Sequence, residues 1–214
     1  MKKLLSIVSS LILVSTITAK AEIGMGISGA FMSIDGDGAE TTRTSGEVNK
    51  GSHSEDVGVP EVFIEMIGDN GGALGVSYIP TRDLGSKSRA DSNSDGDTGT
   101  YKAQAELDNV LKVYGDIPMG SIIGGTSYIT VGLQHVELVT LESLNSGATY
   151  PNKNLFGYSI GLGLKGDVPY GSNLYYKGEV TYTDFETYNA DGAGNKVSAD
   201  LDATAARFSI GYKF

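Results

Sequence analysis

Residues 156–165, Phe-Gly-Tyr-Ser-Ile-Gly-Leu-Gly-Leu-Lys, show the clearest structural pattern of the chain. A large apolar or aromatic side chain occupies every second position, and Gly, Ser or Lys lies between. Because successive side chains of a strand point to opposite faces, the stretch predicts a strand with one apolar face and one small or polar face. Seven further stretches repeat this alternation, at about residues 23–34, 61–68, 72–80, 99–114, 128–139, 174–188 and 207–214.

The connections between these stretches alternate in length. Asp69-Asn70-Gly71 contains Asn-Gly, the strongest short hairpin-turn pattern. Segments 115–121 (GDIPMGS) and 166–172 (GDVPYGS) are near copies and predict two equivalent short turns. The other connections, at about residues 35–60, 81–98, 140–155 and 189–200, are long and rich in Gly, Ser, Thr, Asp and Asn. Short turns at one end and long polar loops at the other predict an all-β, eight-stranded antiparallel up-and-down transmembrane β-barrel.

Two prolines allow a prediction about register. If Asn70-Gly71 is a two-residue turn, Glu61 pairs with Pro80, and Pro60 and Pro80 lie at nearly the same height. Proline lacks the N–H group that a ladder needs. We therefore expect the ladder between the second and third strands to stop there.

The first 21 residues have the composition of a secretory signal peptide. Lys2 and Lys3 form its charged region, residues 4–18 form its apolar region, and Ala19-Lys20-Ala21 has small residues where a signal peptidase reads. We predict cleavage before Glu22, leaving residues 22–214 as one barrel domain exported to the outer membrane. An uncleaved anchor helix is the alternative, but the apolar run is short and interrupted by Ser and Thr.

Charge and cysteine content exclude several classes of protein. The chain has a formal net charge of −10, and removing the three lysines of the signal peptide makes the remaining chain still more acidic. A general nucleic-acid-binding surface is therefore excluded. With no Cys, the chain forms no disulfide and is neither a thiol enzyme nor a Cys-ligated zinc protein. No phosphate-binding loop, metal-ligand cluster or nucleophile elbow occurs, so we predict no cofactor and no enzymatic activity.

The composition of the two strand faces favours a membrane barrel over a soluble one. The polar face is crowded with Gly, Ser, Thr and Ala, which suits the narrow interior of an eight-stranded barrel. Aromatic residues near strand ends predict interfacial girdles. We place Tyr114, Tyr128, Tyr175, Tyr176, Tyr212 and Phe214 at the short-turn rim, and Tyr78, Tyr101, Phe156, Tyr158, Tyr182 and Phe185 toward the other rim.

The chain ends in an alternating aromatic and apolar series, Phe208, Ile210, Tyr212 and Phe214. This ending resembles the C-terminal signature of outer-membrane barrels. Together with the eight-strand rhythm, it makes residues 22–214 similar to the OmpA-like and opacity-protein group of eight-stranded barrels. The resemblance implies that the barrel-assembly machinery reads the C-terminal residues during insertion, and that outer-membrane lipids surround the barrel.

Charged residues on the polar faces are the first candidate functional residues. They could line a narrow ion path, but buried charges must be paired, and eight strands leave little room. A salt-bridge network that fills the barrel is therefore favoured over a channel. The predicted lumen charges are Glu61, Glu65, Lys102, Glu106, Lys112, Lys165, Lys177, Glu179 and Arg207.

Other candidate sites fall in the predicted long loops. The acidic runs at 35–38 and 91–97 could bind calcium, but they lack the full calcium-loop pattern, so solvated loops are favoured. His53, flanked by Ser52, Ser54, Glu55 and Asp56, suggests a lipid-modifying triad only weakly, and His135 is the other histidine.

Four functional hypotheses follow. The leading one is a structural, surface-exposed outer-membrane protein with a filled lumen, whose four long acidic loops serve adhesion or bind an extracellular ligand. The alternative is a small porin-like channel for ions or small polar solutes. A lipid-modifying enzyme and a soluble periplasmic β-barrel are the remaining two.

Overall fold

The computed structural model describes residues 21–42, 46–91, 99–141, 150–169, 173–192 and 195–214. The predicted signal peptide lies outside these residues, except for Ala21, so its assignment stays a prediction. The described residues form ten β-strands. They are β1 (Glu22–Thr42), β2 (Val48–Ile67), β3 (Ala73–Ile79), β4 (Arg82–Asp91), β5 (Gly99–Ile122), β6 (Gly125–Thr140), β7 (Lys153–Asp167), β8 (Leu174–Phe185), β9 (Tyr188–Asp191) and β10 (Asn195–Lys213).

The ten strands form a closed ring of eight positions. β3 and β4 both pair with β5, and β8 and β9 both pair with β10, so each of these pairs is one barrel strand with a short interruption. The remaining neighbours pair antiparallel in chain order, and β1 closes the ring on β10. The predicted eight-stranded antiparallel up-and-down barrel is confirmed.

The strands are staggered around the ring. Following paired residues from Ile67 through each neighbouring strand returns to β2 at Val57, ten residues along the same strand. A stagger of this kind tilts the strands against the barrel axis and fixes the width of the barrel. The interior of an eight-stranded barrel is just wide enough for side chains to fill.

The strands at the long-hairpin end are longer than the apolar pattern predicted. β1 and β2 remain paired from Glu22 to Thr41, so most of the predicted loop at 35–60 is a hairpin. The predicted loop at 81–98 contains β4, and the loop at 189–200 contains β9 and the start of β10. The prediction failed because ladder pairing continues beyond the apolar belt, where neither face requires alternation of large apolar residues.

The turns also differ in detail from the prediction. Gly68 N donates to Gly72 O and Gly71 N donates to Gly68 O, so 69–71 is a three-residue turn with Gly71 at φ 80°. Segment 115–121 belongs to β5, whose turn comes at Ile123 and Gly124, whereas in segment 166–172 Gly166 and Asp167 end β7 and residues 170–172 lie outside the described residues. The two near copies are therefore not equivalent turns.

The ladder between β2 and β3 ends where the two prolines predicted it. Its last pair is Val62 with Tyr78, which sets Glu61 opposite Ile79 rather than Pro80, because the turn has three residues and not two. The backbone N–H of Gly68 points toward the backbone C=O of Gly72. Along a strand, the backbone groups of successive residues point alternately toward one neighbouring strand and the other. Pro60 and Pro80 therefore turn their nitrogens toward each other, and neither nitrogen can donate.

An apolar belt surrounds the outside of the barrel. Ile27 is 67% exposed and Phe214 69% exposed, which in an aqueous protein would be unfavourable. The outward belt residues are Ile23, Met25, Ile27, Phe31, Val62, Ile64, Met66, Val76, Tyr78, Leu111, Val113, Phe156, Ile160, Leu162, Leu174, Val180, Tyr182, Phe208, Ile210, Tyr212 and Phe214.

Four residues assigned to the aromatic girdles face the interior instead. Tyr114, Tyr128 and Tyr175 are buried inside the barrel, and Phe185 packs against the interior apolar cluster. Tyrosine carries both a large ring and a hydroxyl group, so its presence near a strand end does not identify the face. The side chain of Tyr101 lies outside the described residues.

Candidate functional site

Eight charged side chains are buried in the described part of the barrel, four of each sign. Each lies on the inward face of its strand, where residues alternate with the outward belt. Because the acids and bases are equal in number, the network is electrically neutral. The acids are Glu61, Glu65, Asp116 and Glu179, and the bases are Lys112, Lys165, Lys177 and Arg207.

Lys177 is the centre of one half of this network. Its Nζ lies 2.9 Å from Glu65 Oε2 and 2.8 Å from Asp116 Oδ2. Lys165 Nζ lies 3.6 Å from the same Asp116 oxygen. Lys177 is 3% exposed, so water contributes little to its solvation. Its two carboxylate partners therefore offset part of the cost of burying its charge.

Arg207 is the centre of the other half. Its Nε lies 2.7 Å from Glu61 Oε2, and its Nη1 donates to Glu179 Oε1. Lys112 Nζ lies 3.9 Å from Glu179 Oε1. A guanidinium group can bind two carboxylates at once because its donors are arranged in a planar fork. The arginine thereby joins the inward faces of β2, β8 and β10.

Three interior tyrosines donate hydrogen bonds to two of the four buried carboxylates. Tyr114 and Tyr175 donate their hydroxyl protons to Glu65, at 2.7 and 2.9 Å. Tyr128 donates to Glu179 at 3.0 Å. The charged groups and the phenol rings thus form a single layer across the barrel.

Each of these tyrosine rings lies over a glycine on the neighbouring strand. Tyr114 pairs with Gly75, Tyr128 with Gly163 and Tyr175 with Gly211. A Cβ atom at any of the three glycines would overlap the ring of its tyrosine. Here the absence of a side chain is what allows the close approach.

The charged layer and the apolar cluster beside it leave little open space in the lumen. The residual space among Ser28, Glu61, Lys112, Glu179 and Arg207 is about the size of one water molecule. Toward the long-hairpin end, the interior holds an apolar cluster that includes Val59, Leu107, Val136 and Leu155. The described lumen therefore has a polar layer and an apolar layer, both packed.

The structure places seven of the nine predicted lumen charges inside the barrel: Glu61, Glu65, Lys112, Lys165, Lys177, Glu179 and Arg207. The side chain of Lys102 lies outside the described residues. Asp116 belongs to the network but was missed, because its Gly-Asp-x-Pro context resembles a turn. Asp116 follows Lys112 and Tyr114 at intervals of two residues on the same strand, and this spacing could have placed it on the same inward face.

Glu106 was predicted to face the lumen, and this prediction is wrong. Glu106 is partly exposed and lies with Asp108 on the outer side of β5, one residue on either side of the inward Leu107. A β-bulge between Asp108 and Leu111, where Asn109 has φ 51°, inserts one extra residue. The bulge exchanges the two faces of the strand. On the long-hairpin side of the bulge the inward residues of β5 are odd-numbered, like Leu107, whereas on the other side they are even-numbered, like Lys112.

The histidine constellation is not assembled. His53 Nε2 lies 3.4 Å from Glu55 Oε2, and both side chains are substantially exposed. Ser52 and Ser54 alternate with His53 along β2 and so point to the opposite face. His135 instead meets the edge of the Phe156 ring, with 5.2 Å between ring centroids.

The first acidic run lies in a strand and not in a loop. Residues 35–38 belong to β1, and residues 92–97 of the second run lie outside the described residues. Among the described residues, no group of three or more His, Asp or Glu side chains is arranged to hold a metal ion. The same part of the chain contains no helix long and apolar enough to cross a membrane.

A row of three carboxylates crosses the outer surface just beyond the apolar belt. Asp35 on β1 pairs with Asp202 on β10, which pairs with Asp184 on β8. Partial burial raises the pKa of Asp202, and the nearby charges of Asp35 and Asp184 raise it further. Like charges directly opposite one another in a sheet are unfavourable.

We expect Asp202→Asn to stabilise the barrel at pH 7. Because the folded-state pKa of Asp202 is raised, its ionised form opposes folding, and stability returns as the pH falls through that pKa. The gain should be a few tenths of a kcal/mol, about the scale of one cross-strand charge pair. Urea unfolding at pH 7 and at pH 4 measures this gain. Asp69→Asn, in an exposed turn, is the control, and a gain of equal size in the control would contradict the explanation.

Comparisons with known proteins agree with this fold. No family model matches the chain, so the similarity to OmpA-like barrels stays a resemblance. A 25 kDa outer-membrane immunogenic protein of Brucella canis is 32% identical over 87 residues, which are 41% of this chain and 38% of that protein. The matched segment thus spans less than half of the relative's length.

Two solved structures resemble the barrel over most of its length. Outer membrane protein AlkL, solved in DMPC lipid bilayers, aligns with a TM-score of 0.52 and 11% identity, over 91% of this chain and 90% of that one. OprG of Pseudomonas aeruginosa aligns with a TM-score of 0.51 and 16% identity, over 91% and 97%. The fold is that of an outer-membrane β-barrel. The belt and these comparisons assign the protein to the outer membrane of Gram-negative bacteria.

Proposed function

We propose that the protein is a non-conducting outer-membrane barrel that presents long β-hairpins to the cell exterior, where they bind a partner. The observation that carries the proposal is the neutral, packed layer of eight charges and three tyrosines across the lumen. A water-filled path would need open space between these groups, and the residual space holds about one water molecule.

The outside of the barrel supports the anchoring part of this proposal. The apolar belt is suited to the hydrocarbon of outer-membrane lipids, and the exposed Phe208, Ile210, Tyr212 and Phe214 end its last strand. As the resemblance to outer-membrane barrels implies, the barrel-assembly machinery would recognise these four residues during insertion. Outer-membrane lipids and the barrel-assembly machinery are therefore both partners in the proposal.

The hairpins support the exposed part. Both termini of the barrel lie at its short-turn end, and the β1–β2 hairpin extends well past the belt at the opposite end. In outer-membrane barrels, the short turns face the periplasm and the long connections face outward. This orientation would place the acidic hairpins in contact with the environment.

Conductance of the refolded barrel in a planar bilayer tests the proposal. We expect no steady single-channel steps from the native protein, because the packed layer of charges and tyrosines leaves little room for a continuous water column. A variant with Tyr114, Tyr128 and Tyr175 all replaced by Ala should leak, since it loses three rings from the layer. Salt-dependent steps from the correctly folded native barrel would overturn the proposal and favour the porin-like alternative.

A further inference from the structure

The barrel wall has a seam between β2 and β4. Above Val62 and Tyr78, β2 pairs with β1, and β4 pairs with β5, but no ladder joins β2 to β4 in the described residues. We define the seam as the boundary between residues 54–60 of β2 and residues 82–86 of β4. An unpaired strand edge offers a row of backbone donors and acceptors to another extended chain.

The direction of the backbone groups along β2 identifies the residues that face the seam. Even-numbered residues of β2 point their N and O atoms toward β3, as Gly68 does toward Gly72, and Pro60 cannot donate. Gly58, Asp56 and Ser54 follow at alternate positions above Pro60, so their backbone groups face the seam. Odd-numbered residues between them point toward β1, and their pairing is unaffected by what occupies the seam.

The seam residues lie beyond the apolar belt. Gly58 pairs with Phe31, the last large apolar side chain that β1 turns outward within the belt. Asp56 pairs with Ser33 and Ser54 pairs with Asp35, so both lie at the polar level above. The polar surroundings favour an extended peptide over a lipid chain as the occupant.

The charges beside the seam favour a cationic occupant. Asp56 and Asp35 flank it on the β2 side, and Asp83 and Glu106 are paired on the β4 side. Within residues 54–60 and 83–86, no Lys or Arg is present, and Arg82 pairs with the inward Leu107. An incoming strand with alternating Lys would place its ammonium groups among carboxylates.

A side chain, rather than a ladder, fills the boundary between the two strands. A Cβ atom on Gly85 would lie 2.8 Å from Glu55 Oε2, so the carboxylate rests directly against the β4 backbone. Gly85 has φ 79° and lies in a bulge of β4 that shifts the register between Asp83 and Ser86. The bulge interrupts the regular register of β4, and β4 lies close to β2. A strand added to the edge of β2 therefore requires both the Glu55 side chain and this segment of β4 to move aside.

We propose that the seam is a docking site for an extended, basic segment of a partner protein, which adds as a strand to the edge of β2 at Gly58, Asp56 and Ser54. The proposal rests on the proposed function, since it names the place and the chemistry of partner binding. Main-chain hydrogen bonds would supply affinity, and the acidic surroundings would select basic side chains.

Binding of a labelled peptide to the full barrel in nanodiscs tests the proposal. The probe is KVKTKVKTK, compared with the acidic peptide EVETEVETE and with KVKTKVKTK carrying N-methyl groups on alternate backbone nitrogens. We expect the basic probe to bind, the acidic peptide not to bind, and N-methylation on the hydrogen-bonding edge to weaken binding at least about tenfold. The methylated probe leaves the protein itself unchanged, so misfolding cannot explain its loss of binding.

A matched pair of variants tests the edge from the protein side. Ser54→Pro removes the backbone donor at the seam without removing a donor to β1, and we expect at least about tenfold weaker binding. Ser54→Ala keeps the donor, and the affinity should change less than about twofold. Equal binding of the methylated and unmethylated probes, or of the two variants, would show that charge alone attracts the peptide and would overturn strand addition. Conductance measured on the same preparation separates this outcome from failure of the non-conducting function.

Discussion

Replacing Lys177 by Met should destabilise the barrel by about 3–5 kcal/mol, the cost of breaking a buried ion pair from one side. Lys177 Nζ is within 3 Å of carboxylate oxygens of both Glu65 and Asp116, and all three side chains are almost completely buried. Met has a similar length but no charge, so two carboxylates would remain beside each other without their principal cation. Unfolding in urea, followed by the heat-dependent gel mobility of the barrel, measures the loss.

Lys213→Met is the matched control for this prediction. Lys213 also lies near two carboxylates, those of Asp167 and Glu22, but at the solvent-exposed rim. An exposed ion pair contributes about 0–1 kcal/mol, so this variant should unfold almost as the native protein does. Adding Glu65→Gln to Lys177→Met should recover most of the lost stability, because it restores equal numbers of buried acids and bases and leaves Asp116 with Lys165. Equal losses at Lys177 and Lys213 would contradict the assignment of the lumen layer as a stabilising network.

Period-two alternation was sufficient to predict the fold and most of the lumen layer. Lys165 and Lys177 were assigned to the interior because they alternate with apolar residues on the same strands, and both are buried there. The same counting would have placed Tyr114 inside, since it has the parity of Lys112. Its ring was instead assigned to an interfacial girdle because it lies near a strand end. The alternation of side chains between the two faces of β5 was not applied to it.

Local departures from regular pairing set the limit of the prediction. The bulge at Asn109 exchanges the faces of β5 and turns Glu106 outward, and a single sequence has no strong pattern for a bulge. A second irregularity between Pro118 and Gly120 lets β5 continue through a proline, so Asp116 lies in a strand instead of a turn. The seam depends on contacts between strands distant in sequence, which local alternation does not encode.

Replacing Gly211 by Ala should destabilise the barrel by about 3 kcal/mol, near the upper end of the usual cost of overpacking. The added Cβ would overlap the ring of Tyr175, which lies on the paired position of β8. That ring cannot move aside freely, because its hydroxyl group donates to Glu65 and its surroundings are closely packed. Urea unfolding of the refolded variant measures the effect.

Gly178→Ala separates overlap with a ring from a general sensitivity of glycines to substitution. Gly178 lies on β8, three residues from Tyr175, and a Cβ atom there would meet no atom within 4 Å. Alanine is also the less costly residue in a strand interior, so this variant should be as stable as the native protein or slightly more so. Adding Tyr175→Ala to Gly211→Ala should relieve the overlap, so the double variant should lose less than the sum of the two single losses. Strict additivity would mean that the ring does not rest on the glycine, and that Gly211 is required for the conformation of β10 instead.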